Sequence, residues 1–432
     1  MDERREAIPR PAAALLSLAL AGSLPCFAAE EAEWPQWRGP DRDGVAAGAR
    51  LPRSWPRELP TVWRAEAGPG YSTPVLAAGR VYFLERRGED EVVRCLDGET
   101  GAQIWRSAYA APYEPNPSAR KHGPWPKSTT AVAGGRVHAF GVSGILTALD
   151  ARDGRVLWRR DLEREFSSSP TFGVAASPLV ADGLVVLPVG YKEGRGAVMA
   201  FRADTGETAW KAFDDGPSYG SAIAAELAGV RQAIGFTAKH LVGAALADGR
   251  ELWKYPFEVP FDETIVTPLV WRGSVVFAGR SNGGTRAIRL RREGERFAVE
   301  ELWKRDAPVY MSSPVISGDS YFALEHGTGR LFCLRLEDGS LAWKGGDFGD
   351  YASLVLAGDR ILILSSSGKL SVVEASRDAY REVASYRVSE KPTYAHLVVA
   401  GSRLLVRDSE SVQCFDFSRP PEAESGIRPR DG

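Results

Sequence analysis

Short apolar runs separated by polar, glycine-rich turns follow one another along nearly all of this 432-residue chain. Each unit starts with a hydroxyl or proline pair ahead of an apolar run, as at Ser72, Thr73 and Pro74, at Ser177 and Pro178, at Thr267 and Pro268, and at Ser313 and Pro314. A second apolar run follows a glycine turn. A third carries Val92, Val93 and Cys95 in one unit, and Leu146 and Ala148, Val198 and Ala200, or Leu331 and Cys333 in others. Runs of this length bounded by turn residues predict strands, and turns this tight predict antiparallel pairing.

The last run of most units contains a tryptophan: Trp63, Trp105, Trp158, Trp210, Trp253, Trp303 and Trp343. Five of these stand four residues after a glycine, in the pairs Gly101/Trp105, Gly154/Trp158, Gly206/Trp210, Gly249/Trp253 and Gly339/Trp343. Successive tryptophans lie 40 to 53 residues apart, the period of radially repeated four-stranded sheets rather than of helical solenoids. Counting units places the inner strands near residues 72, 129, 177, 221, 267, 313, 353 and 395. The expected fold is therefore all-β, an eight-bladed propeller of four-stranded antiparallel blades.

The seventh blade lacks the tryptophan, and the eighth, ending at Cys414 to Phe417, has only three strands. An N-terminal strand around Trp63 is expected to complete that last blade and close the ring, which leaves few unpaired edges. The seven tryptophans are read as structural, wedged between blades. Burying about 150–250 Å² each, they would contribute up to roughly 4–6 kcal/mol apiece.

Composition refines the boundaries. With 54 basic and 56 acidic side chains, nothing calls for nucleic acid or an anionic membrane surface. Residues 1–29 read as a secretory signal peptide, with Arg4, Arg5 and Arg10 ahead of an apolar run from Ala12 to Ala21 and small residues at Ala28 and Ala29. A soluble periplasmic or secreted monomer with no transmembrane segment is expected, and Cys26 is a poor match to an acylated cysteine. Residues 30–60 form an N-terminal extension packing on the propeller, 61–418 the propeller itself, and 419–432 a disordered tail. Ser107 to Pro126 is a long insert between blades one and two. Cys95, Cys333 and Cys414 share one position in the third strand and are read as small core residues, not a disulfide set.

With the repeats laid out, the chain resembles bacterial propellers of the pyrroloquinoline quinone (PQQ)-like repeat family. The carriers are Trp34, Trp37, Arg38, Gly39, Arg42 and Gly44 near the start, Gly70 to Pro74, the Asp97 and Asp204 turns, and Leu404, Arg407 and Asp408 in the last blade. The resemblance implies two functions. Members related to the outer-membrane assembly scaffold BamB bind protein partners without chemistry. Quinoprotein alcohol dehydrogenases hold PQQ and calcium, often beside adjacent cysteines or with a haem motif. This chain has neither, and the dehydrogenases' calcium-binding residues find no matching motif in it. No cofactor and no metal are expected, with PQQ and calcium as the alternative.

Strand alternation puts the residues just before each inner strand at the mouth of the central channel. The expected ligand-binding set there is Tyr71, Ser72, Thr73, Lys127, Tyr219, Ser221, Thr264, Tyr310, Ser312, Tyr351, Ser353, Tyr394 and His396. Phenols and hydroxyls around a funnel suit a planar or sugar-like ligand or a peptide loop; the same tyrosines would also serve simply to cap the channel. Between the second and third strands, Arg86, Arg87, Lys192, Arg195, Lys239, His240, Arg280 and His326 make this face mildly basic, while the opposite face carries Asp97, Asp150, Asp204 and Asp248.

No catalytic cluster emerges. His122, His138, His240, His326 and His396 fall in different blades or loops without metal-ligand spacing. Gly68 to Gly70 precedes a strand and so is no phosphate cradle, and the turn around Ser143 lacks the setting of a nucleophile elbow. The sequence supports an exported, non-catalytic propeller binding a protein, peptide or glycan at its channel mouth. The alternative is a PQQ-dependent oxidoreductase.

Overall fold

A computed structural model describes residues 33–166, 171–190, 196–216 and 218–418. The signal segment, Cys26, the tail and the hairpin residues Lys192 and Arg195 lie outside the described residues. Eight four-stranded antiparallel sheets make up the fold. The first blade comprises Val75–Ala77, Arg80–Arg87, Asp90–Asp97 and Gln103–Ala110. Blades two to seven follow at 131–161, 179–212, 223–256, 269–305, 315–345 and 352–387. Blade eight takes its three inner strands from 398–416 and its outer strand from Thr61–Glu66, with Trp63 opposite Cys414. The ring thus closes by the expected pairing of the chain's first strand with its last.

One steric exchange explains the repeat. Each tryptophan of the outer strands sits opposite a small residue of the third strand: Cys95 faces Trp105, Ala148 Trp158, Ala200 Trp210, Gly243 Trp253, Ala287 Trp303 and Cys333 Trp343. A β-bulge follows each of these pairs. The rings of Trp105, Trp158, Trp210 and Trp303 then lie on the turn glycine of the next blade. A Cβ on Gly154 would come within 2.5 Å of Trp105, and one on Gly249 within 2.6 Å of Trp210, while both glycines have φ of +75°. Most of the indole N–H groups complete the joint by donating to the next blade's backbone, as from Trp105 to Ala151 O (3.1 Å) and from Trp303 to Leu336 O (2.8 Å), whereas Trp253 donates to Gln232 Oε1 of its own blade (2.7 Å). In blade seven the sizes are reversed, with Ala384 facing Val372. The three free cysteines are buried and occupy the small-residue position.

Except in blade seven, the innermost strands begin two or three residues later than the apolar pattern suggests, at 75, 131, 179, 223, 269, 315, 352 and 398. The hydroxyl residues ahead of them bridge blades instead. Thr73 N donates to Thr129 Oγ1 (3.2 Å), Thr129 N to Ser177 Oγ (2.9 Å), and Ser177 N to Ser221 Oγ (2.9 Å). Thr267 N reaches Ser313 Oγ, Ala352 N reaches Ser312 Oγ, Leu397 N reaches Ser353 Oγ, and His396 N reaches Thr73 Oγ1. An inner strand has no sheet neighbour on its channel side, so its amides need acceptors from elsewhere.

Residues 34–50 run through the ring. Trp34 bridges to Leu76, Pro35 O accepts from Val132 N, and Ala46 N donates to Leu356 O. Trp37 Nε1 donates to Thr267 Oγ1 (2.8 Å), and its ring lies 4.2 Å from that of His396. Arg38 donates to Ser313 O and Pro314 O in blade six, Arg42 to Ser177 O and Pro178 O in blade three. Both arginines adopt left-handed backbone and are about 1% exposed. Burial pulls their pKa values down, to about 10 for Arg38 and about 9 for Arg42, the latter also repelled by Arg38. The channel is therefore filled from within by the chain's own early residues.

Candidate functional site

The mouth lies on the face where the chain approaches each inner strand. Tyr71 and Tyr394 meet edge to face at 5.3 Å, and Tyr351 lies 5.8 Å from Tyr394 and 6.4 Å from His396. Tyr351 Oη donates to Tyr394 O (2.7 Å), and Tyr71 Oη to His122 O (3.3 Å). His396, stacked on Trp37, makes the floor of this side. Burial and the charge of Arg38 hold its pKa well below the ordinary histidine value, so it is a neutral ring at neutral pH.

A second aromatic group faces the first. His122 meets Phe172 edge to face (5.7 Å), and Phe172 meets Tyr219 likewise (5.9 Å). Tyr310 donates to Glu263 Oε2 (2.7 Å) and packs on His326 (5.0 Å). Arg280 pairs with Glu263 and lies 4.6 Å above Tyr310 and 5.8 Å from Phe261. Phe261 is 80% exposed, and it and Asp262 adopt φ of 64° and 55°, a left-handed pair that side chains rarely accept. Burial raises the phenols of Tyr71 and Tyr219, the latter to about 12, which keeps them neutral donors.

The expected site residues thus separate into two sets. Tyr71, Tyr351 and Tyr394 come together on one side, with His396 beneath them. Tyr219 and Tyr310 stand in the second group, near Glu263. Lys127 stands at the edge, donating to Trp125 O (3.3 Å), its pKa drawn down to about 8 by burial against the opposing pull of Glu91. The hydroxyls lie deeper. Ser72, Thr73, Ser221, Ser312, Ser353 and Thr264 are all at most 4% exposed and lie in the wall, not at the surface of the mouth. Ser72 accepts from Leu84 N, Thr264 exchanges a bond with Ser218 (2.8 Å), and the rest serve the inter-blade amides. His396 is likewise covered, at 4% exposed.

Hairpin side chains have local partners, among them Arg280, paired with Glu263, and His240, whose Nδ1 lies 2.8 Å from Asp215. The insert between blades one and two begins later than expected, because the outer strand of blade one continues to Ala110; a 3-10 turn over Pro117–His122 then brings His122 and Trp125 to the rim. Sequence reasoning missed Trp37, Phe172, Phe261 and Arg407 as mouth residues. Phe261 carried a signal, an aromatic in a polar stretch between two blades; Trp37 carried none.

A family model described as outer membrane protein assembly factor BamB matches residues 89–345. The outer membrane protein assembly factor BamB of Yersinia pestis is 24% identical over 424 residues, 94% of this chain and 98% of that protein. The quinohemoprotein alcohol dehydrogenase ADH-IIG of Pseudomonas putida is 31% identical over 146 residues, 32% of this chain and 19% of that enzyme. Among solved structures, BamB from Moraxella catarrhalis superposes with a TM-score of 0.62 at 15% identity, over 84% of this chain and 99% of that one.

Proposed function

The chain belongs to the BamB-like family of PQQ-repeat propellers, and from that premise we propose that it is an exported, non-catalytic propeller that binds a partner protein at its channel mouth. The observation that carries this reading is the filled channel. Trp37, Arg38 and Arg42 occupy the interior, so what the ring offers is a rigid rim of rings. Phe261, Met311 and Tyr394 stand out from that rim at 80%, 37% and 47% exposure, and exposed aromatic and methionine side chains on a rigid frame are typical of protein interfaces. The BamB relatives are named for assembly of outer membrane proteins, which fits a periplasmic binding role.

The alternative, a PQQ-dependent oxidoreductase, draws on the 31% identical dehydrogenase segment. The residues present do not suit it. Calcium takes six to eight oxygen ligands, yet among the described residues no three His, Cys, Asp or Glu side chains gather to hold a metal. Glu263, a carboxylate of the mouth, already holds Arg280 and Tyr310.

The test is capture of periplasmic partners by the tagged protein and by a triple variant, Phe261→Ala, Met311→Ala and Tyr394→Ala. All three side chains are exposed, so the variant should melt as the wild type does and lose capture at least about tenfold. Undiminished capture would count against the mouth. Incubation of the purified protein with PQQ and calcium should produce neither an absorbance change nor dye-linked alcohol oxidation.

A further inference from the structure

Where the first and last blades meet, the mouth opens into a pocket of about 150 Å³. Its walls are Pro69, Tyr71, Trp125, Pro392 and Tyr394, and Arg407 lies in its floor. Arg407 is 1% exposed. Its Nη1 donates to Ser72 O (2.7 Å) and Leu84 O (2.9 Å), and its Nη2 to Gly68 O (3.1 Å). Among the described residues its buried Nε meets no acceptor. Gly70 lines the same pocket, and a Cβ there would fall 2.6 Å from Arg407 Nη2, so the missing side chain is what leaves the guanidinium edge beside the cavity.

Two further polar groups of the pocket are already engaged. The carboxylate of Asp408 accepts from the hydroxyls of Ser389 (2.8 Å) and Ser411 (3.0 Å), from Gln413 Nε2 (3.2 Å) and from the amides of Glu410 and Ser411. The hydroxyl of Tyr71 is held by His122 O. Three rings and two prolines remain, with the Tyr394 and Ser409 hydroxyls, the Trp125 indole N–H and the Arg407 Nε–H without partners among the described residues. Donors set among apolar rings suit a ligand rich in acceptors and poor in donors of its own. A polyproline II segment has few N–H groups to satisfy, presents free carbonyls, and docks in aromatic-lined grooves.

Charge narrows the sequence of that segment. Beside Trp125 the rim carries Lys121, His122 and Lys127, and burial together with the two lysines holds His122 below its ordinary pKa. The nearby carboxylate of Glu91 is fully buried and turned inward, accepting from Tyr109 Oη (2.9 Å) and Val142 N (2.6 Å). A carboxylate on the ligand would meet a cationic edge.

We infer that this pocket binds an extended, proline-containing segment of a partner protein flanked by an acidic residue. Proline sits between Tyr71, Trp125 and Tyr394, a peptide carbonyl faces Arg407, and the acidic side chain lies toward Lys121 and Lys127. The inference rests on the mouth-binding reading above and specifies its ligand.

Fluorescence anisotropy with a fluorescein-labelled peptide of four prolines between two glutamates tests it. That peptide should bind; the same peptide with lysines in place of the glutamates should bind at least about tenfold more weakly; and chitotetraose should not displace it. Trp125→Ala and Tyr394→Ala should each weaken binding about tenfold without shifting thermal unfolding, while Phe261→Ala, on the other side of the mouth, should leave it unchanged. Absence of binding, equal binding of the two peptides, displacement by chitotetraose, or wild-type affinity in both pocket variants would each overturn the inference. Should the peptide fail while the triple rim variant still loses its partner, the ligand class is wrong and the mouth reading stands. If the partner is captured regardless, both fall.

Discussion

His138 shows how far a single residue can be read from its surroundings. It is fully buried, stacks on Trp158 at 5.8 Å, and finds no hydrogen-bond partner for either ring nitrogen among the described residues. Burial, reinforced by Arg136, depresses its pKa from 6.5 to about 4. The unfolded chain therefore binds a proton that the folded one refuses between those values. The contribution is fully present above about pH 7 and is lost as the pH falls toward 4, which amounts to about 2 kcal/mol between pH 7 and pH 5. Urea unfolding at those two pH values should show His138→Phe losing about 2 kcal/mol less than the wild type. An identical loss in both would mean that the ring is protonated, or reached by water, in the folded state.

Between elements, the inter-blade belt makes a sharper claim than the indoles do. Thr73 works in both directions, its amide donating to Thr129 and its hydroxyl accepting from His396 N, so it spans the seam where the last blade meets the first. Thr73→Val keeps the shape and leaves a buried amide unsatisfied, which should destabilise the fold by about 1–3 kcal/mol. Thr73→Ser should recover most of that in the same urea titration. A silent valine variant would show that water, not the hydroxyl, satisfies His396 N. The belt also explains why the hydroxyls assigned to the mouth from sequence stand in the wall. A serine or threonine ahead of an apolar run looks the same whether it faces a ligand or a neighbouring strand.

For the whole ring, closure and filling are separate devices with separate consequences. The strand Thr61–Glu66 pairs the edge of Ser411–Asp416 and is reinforced by Trp63 donating to Gly98 O (2.9 Å). The segment 34–50 instead braces the channel through Trp37, Arg38 and Arg42. A chain starting at residue 51 should remain monomeric on size exclusion but unfold at lower urea, because the carbonyls of Ser177, Pro178 and Ser313 lose their guanidinium donors. One starting at residue 67 should self-associate, since it leaves the edge of blade eight open. Equal behaviour of the two truncations would contradict the division of labour.

Blade number, strand order, ring closure and the indole positions were legible in the residues because each follows from a local period: apolar runs of strand length, glycine turns, and a tryptophan four residues after many of them. These signals repeat, so they reinforce one another along the chain. The filling of the channel and the makeup of the mouth were not legible. Trp37, Arg38 and Arg42 occur once, and their partners lie more than 130 residues away in blades three, five and six. Arg407 becomes a pocket floor only because Gly70, from the opposite end of the propeller, leaves room beside it. Repetition can be read along a chain, whereas a contact made once, between residues far apart in sequence, exists only when the ring has closed.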